Sequence, residues 1–218
     1  MKKLYTLNTV NNFMEMIYEP FGVPFLKDNS DVDIINIMDD SLLKETREFG
    51  KVTPNVSAKM LAYAKAAEAS GADGIITTCT SVNQATMNIK PFLNIPIINI
   101  EEPVAELAIQ NGKNIGIIGT IPTSPLAMDS MIKTKAEEQN KDITIQHYVV
   151  EGAFDILVAG DRQKHDEMIN NMIQKVQEEV DVIAFSQISM SLVPLMETNV
   201  PIYKIGTSGF EKIYNMMK

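Results

Sequence analysis

The chain has 218 residues, 45% hydrophobic and 22% charged, enough for one large domain or two small ones with a substantial core. Its formal charge of −9, with Arg47 and Arg162 as the only arginines, argues against nucleic-acid or anionic-membrane partners, which require positive surface. No apolar run approaches the roughly 20 residues that span a bilayer. The single cysteine cannot close an internal disulfide, and Met1–Leu4 runs into strand-like sequence without a cleavable signal, so a cytoplasmic location is expected.

Short β-rich runs alternate with longer helical ones, the pattern of a parallel α/β fold. The first strand is expected over Lys3–Leu7, and Asn8-Thr9 then opens a helix. A second strand, Val32–Met38, leads to Asp39-Asp40-Ser41, read as a solvated cap or the start of a loop. Thr53-Pro54 supplies an N-cap with proline at the first helical position. Val56, Met60, Leu61, Ala64 and Ala67 then form an apolar stripe, and Gly71 ends the helix. Strands Gly74–Thr78 and Ile97–Ile100 come next, separated by a helix beginning near Ser81 or Val82. Glu101-Glu102-Pro103 starts the next helix with negative charge where the macrodipole favours it, and Asn111-Gly112 stops it. Later strands are expected at Asn114–Gly119, Ile143–Val149, Val182–Phe185 and Ile202–Lys204, with a long helix over Asp161–Glu179. Several strands are almost continuous apolar runs, as expected where both faces are covered. The fourteen methionines are read as adaptable core filler.

The chain is also written twice. Asp73–Thr80, D-G-I-I-T-T-C-T, is matched 108 positions later by Asp181–Ile188, D-V-I-A-F-S-Q-I, which sets Cys79 opposite Gln187. Asn94–Ile97 recurs as Asn199–Ile202 at 105 positions, and Lys2–Thr9 overlies Lys113–Thr120 at 111. Offsets this close to half the length imply two pseudo-symmetric α/β halves, residues 1–102 with 206–218 and residues 103–205. Each half is expected to be a parallel sheet flanked by helices, with equivalent loops facing a cleft between them.

Cys79 ends a buried strand just before a helix, the place where parallel α/β folds bind ligands. The amides at the start of that helix can stabilise an anion, either a substrate carboxylate or a thiolate. The competing reading is a buried, inert cysteine. Thr80 and Ser81 add hydroxyls at the same turn. At the equivalent turn Ser186 and Gln187 offer hydrogen bonds but nothing that titrates near neutrality, or a polar loop satisfying its own backbone. Thr120, Thr123 and Ser124 suit a carboxylate, although Ser124 before Pro125 is also an ordinary cap. Asn8 and Thr9 have the same two readings. His147 and His165 lack metal-ligand spacing, and neither a metal nor an organic cofactor is indicated.

The runs G-A-D-G-I-I-T-T-C-T-S, I-P-I-I-N-I-E-E-P-V-A-E-L-A and I-G-I-I-G-T-I-P-T-S resemble the aspartate/glutamate/hydantoin racemase superfamily over essentially the whole chain. D-D-S-L-L, E-G-A-F-D-I-L-V-A-G-D-R and S-Q-I-S-M look like one branch of it. The resemblance implies a pseudo-twofold enzyme acting on a small carboxylate without a cofactor, through two cysteines on opposite faces of the substrate's α-carbon. Cys79 matches the first cysteine position, but Gln187 stands at the second. A glutamine supplies neither acid nor base, so conventional two-thiol racemisation lacks one partner. Three readings are open. In the first, Cys79 is the sole proton-transfer group or nucleophile, as in maleate-isomerising and arylmalonate-decarboxylating relatives. In the second, water or Glu151 supplies the missing group. The third is a carboxylate-binding protein on the racemase scaffold, and a homo-oligomer is compatible with all three.

Overall fold

The computed structural model describes residues 1–217, which form two α/β units. Unit one comprises Met1–Ile100 and the segment from Gly206 onward, and unit two comprises Glu101–Ile205.

Unit one begins with β1 (Lys2–Asn8), a π-helical segment (Met14–Gly22), α1 (Val23–Asp28), β2 (Val32–Met38), α2 (Asp40–Phe49) and α3 (Pro54–Ala69). It continues through β3 (Gly74–Thr77), a 3₁₀ turn (Thr80–Val82), α4 (Asn83–Ile89), a second 3₁₀ turn (Lys90–Phe92) and β4 (Ile97–Asn99). The four strands are parallel in the order β2-β1-β3-β4. Leu4, Leu7, Ile75, Ile76, Ile97 and Ile98 are fully buried, because helices cover both faces of the sheet and apolar residues can point either way. Thr53 caps α3 through Oγ1, which accepts from Val56 N at 3.1 Å. The buried stripe of α3 is Val56, Met60, Ala64 and Ala67, with Leu61 at its margin.

Unit two runs α5 (Glu102–Asn111), β5 (Asn114–Gly119), α6 (Thr123–Glu138), β6 (Thr144–Val149), α7 (Ala153–Val158), α8 (Arg162–Val176), β7 (Val182–Phe185), a 3₁₀ turn (Ile188–Met190) and β8 (Ile202–Tyr203). Its parallel order, β6-β5-β7-β8, repeats that of unit one. The chain then returns to unit one as α9 (Thr207–Met216), burying Phe210 and Ile213, with the Phe210 ring 5.4 Å from that of Phe25.

The duplication extends to single hydrogen bonds. Thr78 N donates to Leu7 O at 3.1 Å, and Ser186 N to Ile118 O at 3.0 Å. Asp39 N donates to Asn8 O at 3.0 Å, and Val150 N to Gly119 O at 2.8 Å. Lys3 N donates to the Asp73 carboxylate and Asn114 N to that of Asp181, both at 2.7 Å. Hydrogen bonds from the backbone of Asn114 and Lys113 hold the Asp181 carboxyl below its usual range.

Several local expectations are corrected. Asn8 is the last residue of β1 rather than a helix opener, and regular helical geometry begins only near Phe13. Phe13, Ile17, Phe21 and Phe25, four apart, put one buried face on the segment that contains Pro20. Asp39 starts no loop: its carboxylate accepts from Ser41 N at 2.9 Å and caps α2. Asp161 caps α8 in the same way, and that helix ends at Val176. The methionines divide: Met60, Met128, Met131, Met190 and Met217 fill the core, whereas Met14, Met38, Met196 and Met216 are exposed.

Candidate active site

In each sheet the first strand lies between the second and the third, so the connections leave it in opposite directions. This topological switch opens a crevice at the strand carboxyl ends, where parallel sheets hold ligands. The switch in unit one falls between β1 and β3, at Asn8-Thr9 and Thr78-Cys79. The switch in unit two falls between β5 and β7, at Gly119-Thr120 and Ser186-Gln187. Most of the candidate residues therefore gather in two strand-end turns, one in each unit.

In the first turn Cys79 is half-buried on extended backbone, packed on one side against the core cluster that includes Leu7, Leu42 and Val82. Val82 N donates to Cys79 O at 3.2 Å and closes the 3₁₀ turn that carries half-buried Thr80 and Ser81. The helix expected after Cys79 is present as α4, but it is only seven residues long and starts beyond this turn. Asn8 is buried and committed to the sheet. Its amide donates to Thr6 Oγ1 at 3.1 Å and to Asn36 Oδ1, and its carbonyl accepts from Thr78 Oγ1. Thr9 beside it is 1% exposed, and its Oγ1 has no hydrogen-bond partner among the described residues.

The second turn is organised around one amide. Gln187 Oε1 accepts from Thr120 N at 2.6 Å and from Thr120 Oγ1 at 3.0 Å, with Ser124 Oγ at 2.9 Å. A backbone N–H can only donate, so the oxygen is the inward atom of this amide. Gln187 Nε2 makes no hydrogen bond among the described residues. Ser186 is fully buried: its hydroxyl donates to Ile118 O at 3.0 Å and lies 2.9 Å from Ser124 Oγ. Gly119 makes room for both serines, since a Cβ there would stand 2.4 Å from Ser124 Oγ and 2.6 Å from Ser186 Oγ. Ser124 does not cap α6, which begins one residue earlier with Pro122 at its N-cap. Thr123 is exposed and outside the cluster. Lys204 Nζ pins the segment after this turn by donating to Ser191 O at 3.2 Å and Val193 O at 3.0 Å. Burial pushes the pKa of this amine down.

Sequence reasoning missed Thr78, Asn36 and Lys204 as parts of these turns. The 108-residue offset pairs Thr78 with Ser186 and could have drawn attention to it. His147 Nε2 lies 3.2 Å from Asp129 Oδ1, and fully buried His165 places Nδ1 2.7 Å from Asp166 Oδ1, both away from the turns. A groove of about 750 Å³ lined by Arg162, Asp166, Asn170, Pro194 and Met196 contains none of the candidates. Among the described residues no group of three His, Cys, Asp or Glu side chains could hold a metal, and no helix is long and apolar enough to cross a membrane.

These turns differ in chemical capability. A thiol can give and take a proton or attack carbon. An amide locked through its oxygen can only donate hydrogen bonds from nitrogen.

The family model for Asp/Glu/Hydantoin racemase matches residues 26–208, and the chain belongs to that family, a family of racemase-type enzymes. An aspartate racemase homologue from Pyrococcus horikoshii OT3 has a TM-score of 0.70 at 16% identity, covering 100% of this chain and 99% of that one. Allantoin racemase from Klebsiella pneumoniae reaches 0.69 at 12% identity over 99% and 87% of the two chains. A glutamate racemase from Bacillus anthracis reaches 0.68 at 14% identity over 98% and 80%. At such identities the likeness is one of fold. No curated protein matches the sequence.

Proposed function

We propose that this protein is a cofactor-independent racemase- or isomerase-type enzyme acting on a small carboxylate, an amino acid or related acid, with Cys79 as its proton-transfer group or nucleophile. The observation that carries the reading is the position of the only thiol in the chain. It is half-buried, immediately after β3 at a topological switch, in a member of a racemase family. The Gln187 side chain neither accepts nor releases a proton near neutrality, so the chemistry is single-thiol chemistry. Thiolate removes the α-proton and the electron pair passes into the carboxylate as an enolate. The thiol alone returns a proton to the same face, which is exchange without inversion. Net isomerisation needs a proton from water or Glu151 on the other face, or addition of the thiolate to a double bond.

Incubation with L-aspartate, L-glutamate or a 5-substituted hydantoin in heavy water tests this directly. The expected product carries α-deuterium with retained configuration, and Cys79→Ser abolishes the exchange. Inversion would show that a second acid or base operates, with Glu151 or water as the group to pursue. Because one thiol also suffices for isomerising maleate or decarboxylating an arylmalonate, turnover of either would assign that reaction in place of exchange. Unchanged turnover in Cys79→Ser would overturn the thiol assignment. Stabilisation by carboxylates without turnover of any of them would leave a binding protein.

A further inference from the structure

In each unit a side chain at the end of the fourth strand ties down the segment that follows the third. Asn99, the last residue of β4, is fully buried, and its Nδ2 donates to Asn83 O at 3.2 Å. Lys204 follows Asn99 by 105 positions, the offset of the Asn94–Ile97 repeat, and Ser191 follows Asn83 by 108, the offset that pairs Cys79 with Gln187. Lys204 Nζ donates to Ser191 O at 3.2 Å, so the same tether recurs in unit two. What it holds differs. In unit two no helix stands between the 3₁₀ turn and β8 among the described residues, and Lys204 also reaches Val193 O at 3.0 Å. In unit one the carbonyl belongs to the first residue of α4, whose N–H donates to Thr80 O, while Val82 N donates to Cys79 O at 3.2 Å. Thr77, the register partner of Asn99 on β3, holds the same helix by accepting from Thr86 Oγ1 at 3.0 Å, with both threonines fully buried. A helix of seven residues has little stability of its own, so its attachments to the sheet decide where it and its leading turn stand.

We propose that Asn99 is a positioning residue for Cys79: by fixing the start of α4 to the end of β4, it holds the 3₁₀ turn, and through that turn the thiol, in one place. The assignment rests on Cys79 being the reactive group, but its first test needs no turnover.

Alkylation of the full chain by iodoacetamide reports on Cys79 alone, because the chain has no other cysteine. The thiol is half-buried against the cluster of Leu7, Leu42 and Val82, so a loosened turn exposes it. Asn99→Leu keeps the size of the side chain but removes the donor, and should react at least about threefold faster than wild type. Asn99→Asp supplies a donor only while protonated, and burial raises the pKa of such an acid. Its rate relative to wild type should stay near that of wild type at low pH and rise to that of Asn99→Leu once the acid ionises. Thr53→Ala, which removes the cap of α3 in the same unit, should lower the melting temperature without accelerating alkylation. In α-deuterium exchange Asn99→Leu should lower kcat about tenfold and change KM by less than about twofold. A wild-type alkylation rate in Asn99→Leu, a pH-independent ratio in Asn99→Asp, equal acceleration in Thr53→Ala, or a raised KM at unchanged kcat would overturn the positioning role. Should the alkylation pattern hold while Cys79→Ser leaves turnover unchanged, the enzymatic reading fails and the tether stands.

Discussion

The turn after β3 and the turn after β7 share their extended backbone, their adjoining 3₁₀ turn and their bonds to the central strand, yet use side chains differently. In unit one the buried polar groups hold strands together. Asn8 joins β1 to Asn36 of β2 and to Thr78 after β3, and among the described residues the buried Thr9 hydroxyl has no hydrogen-bond partner. In unit two Gly119 replaces Asn8 and Ser124 replaces Phe13, and the hydroxyls turn toward a single amide. A few substitutions on a repeated backbone therefore turn a strand end that carries a thiol into one whose polar side chains pair with one another.

The comparison can be broken most severely at Gly119. Gly119→Ala forces a methyl group onto two buried hydroxyls and the Pro125 ring, and should cost about 3 kcal/mol, read by urea unfolding. A loss under about 0.5 kcal/mol would mean that the serine pair is loosely held. Asn8→Ala leaves Thr78 and Asn36 with fewer partners and should cost about 1–3 kcal/mol, against little effect on the fold from Cys79→Ser.

The smallest effect concerns Asp39, whose counterpart Val150 makes the equivalent backbone bond without a carboxylate. Partial burial works against the Asp39 charge, but hydrogen bonds from Ser41 and Tyr63, helped by Lys59, hold its pKa below the ordinary value. The lowered folded pKa means that this stabilisation is complete above the unfolded pKa of about 3.9 and lost as pH falls through the folded value. Asp39→Asn should therefore lower stability modestly near neutrality, where the stabilisation is complete, and the difference from wild type should shrink as pH falls below about 4, as melting curves across pH would reveal.

Strand placement was legible because buried parallel strands are runs of Ile, Val and Leu, and every expected strand lies within one residue of its observed ends. The helix Asp40–Phe49 was not, because D-S-L-L-K-E-T-R-E-F is mostly polar and buries only Leu42 and Thr46. The π-helical segment was hidden by Pro20, which ordinarily marks a break. Asn8 was named as a ligand-binding candidate, but its side-chain bonds reach Asn36 and Thr78, 28 and 70 residues away.

By itself the sequence determined the alternation of strands and helices, the internal repeat, and the unequal pair Cys79 and Gln187. Those features are carried by local apolar patterning and by residue identity at a fixed offset. Only the tertiary structure decided which polar atoms are already spent. Thr120 and Ser124 meet Gln187 across 67 and 63 residues of chain, and the Thr9 hydroxyl is buried without a hydrogen-bond partner among the described residues. Hydrogen-bond satisfaction depends on where distant strand ends are brought together, and no local pattern encodes that.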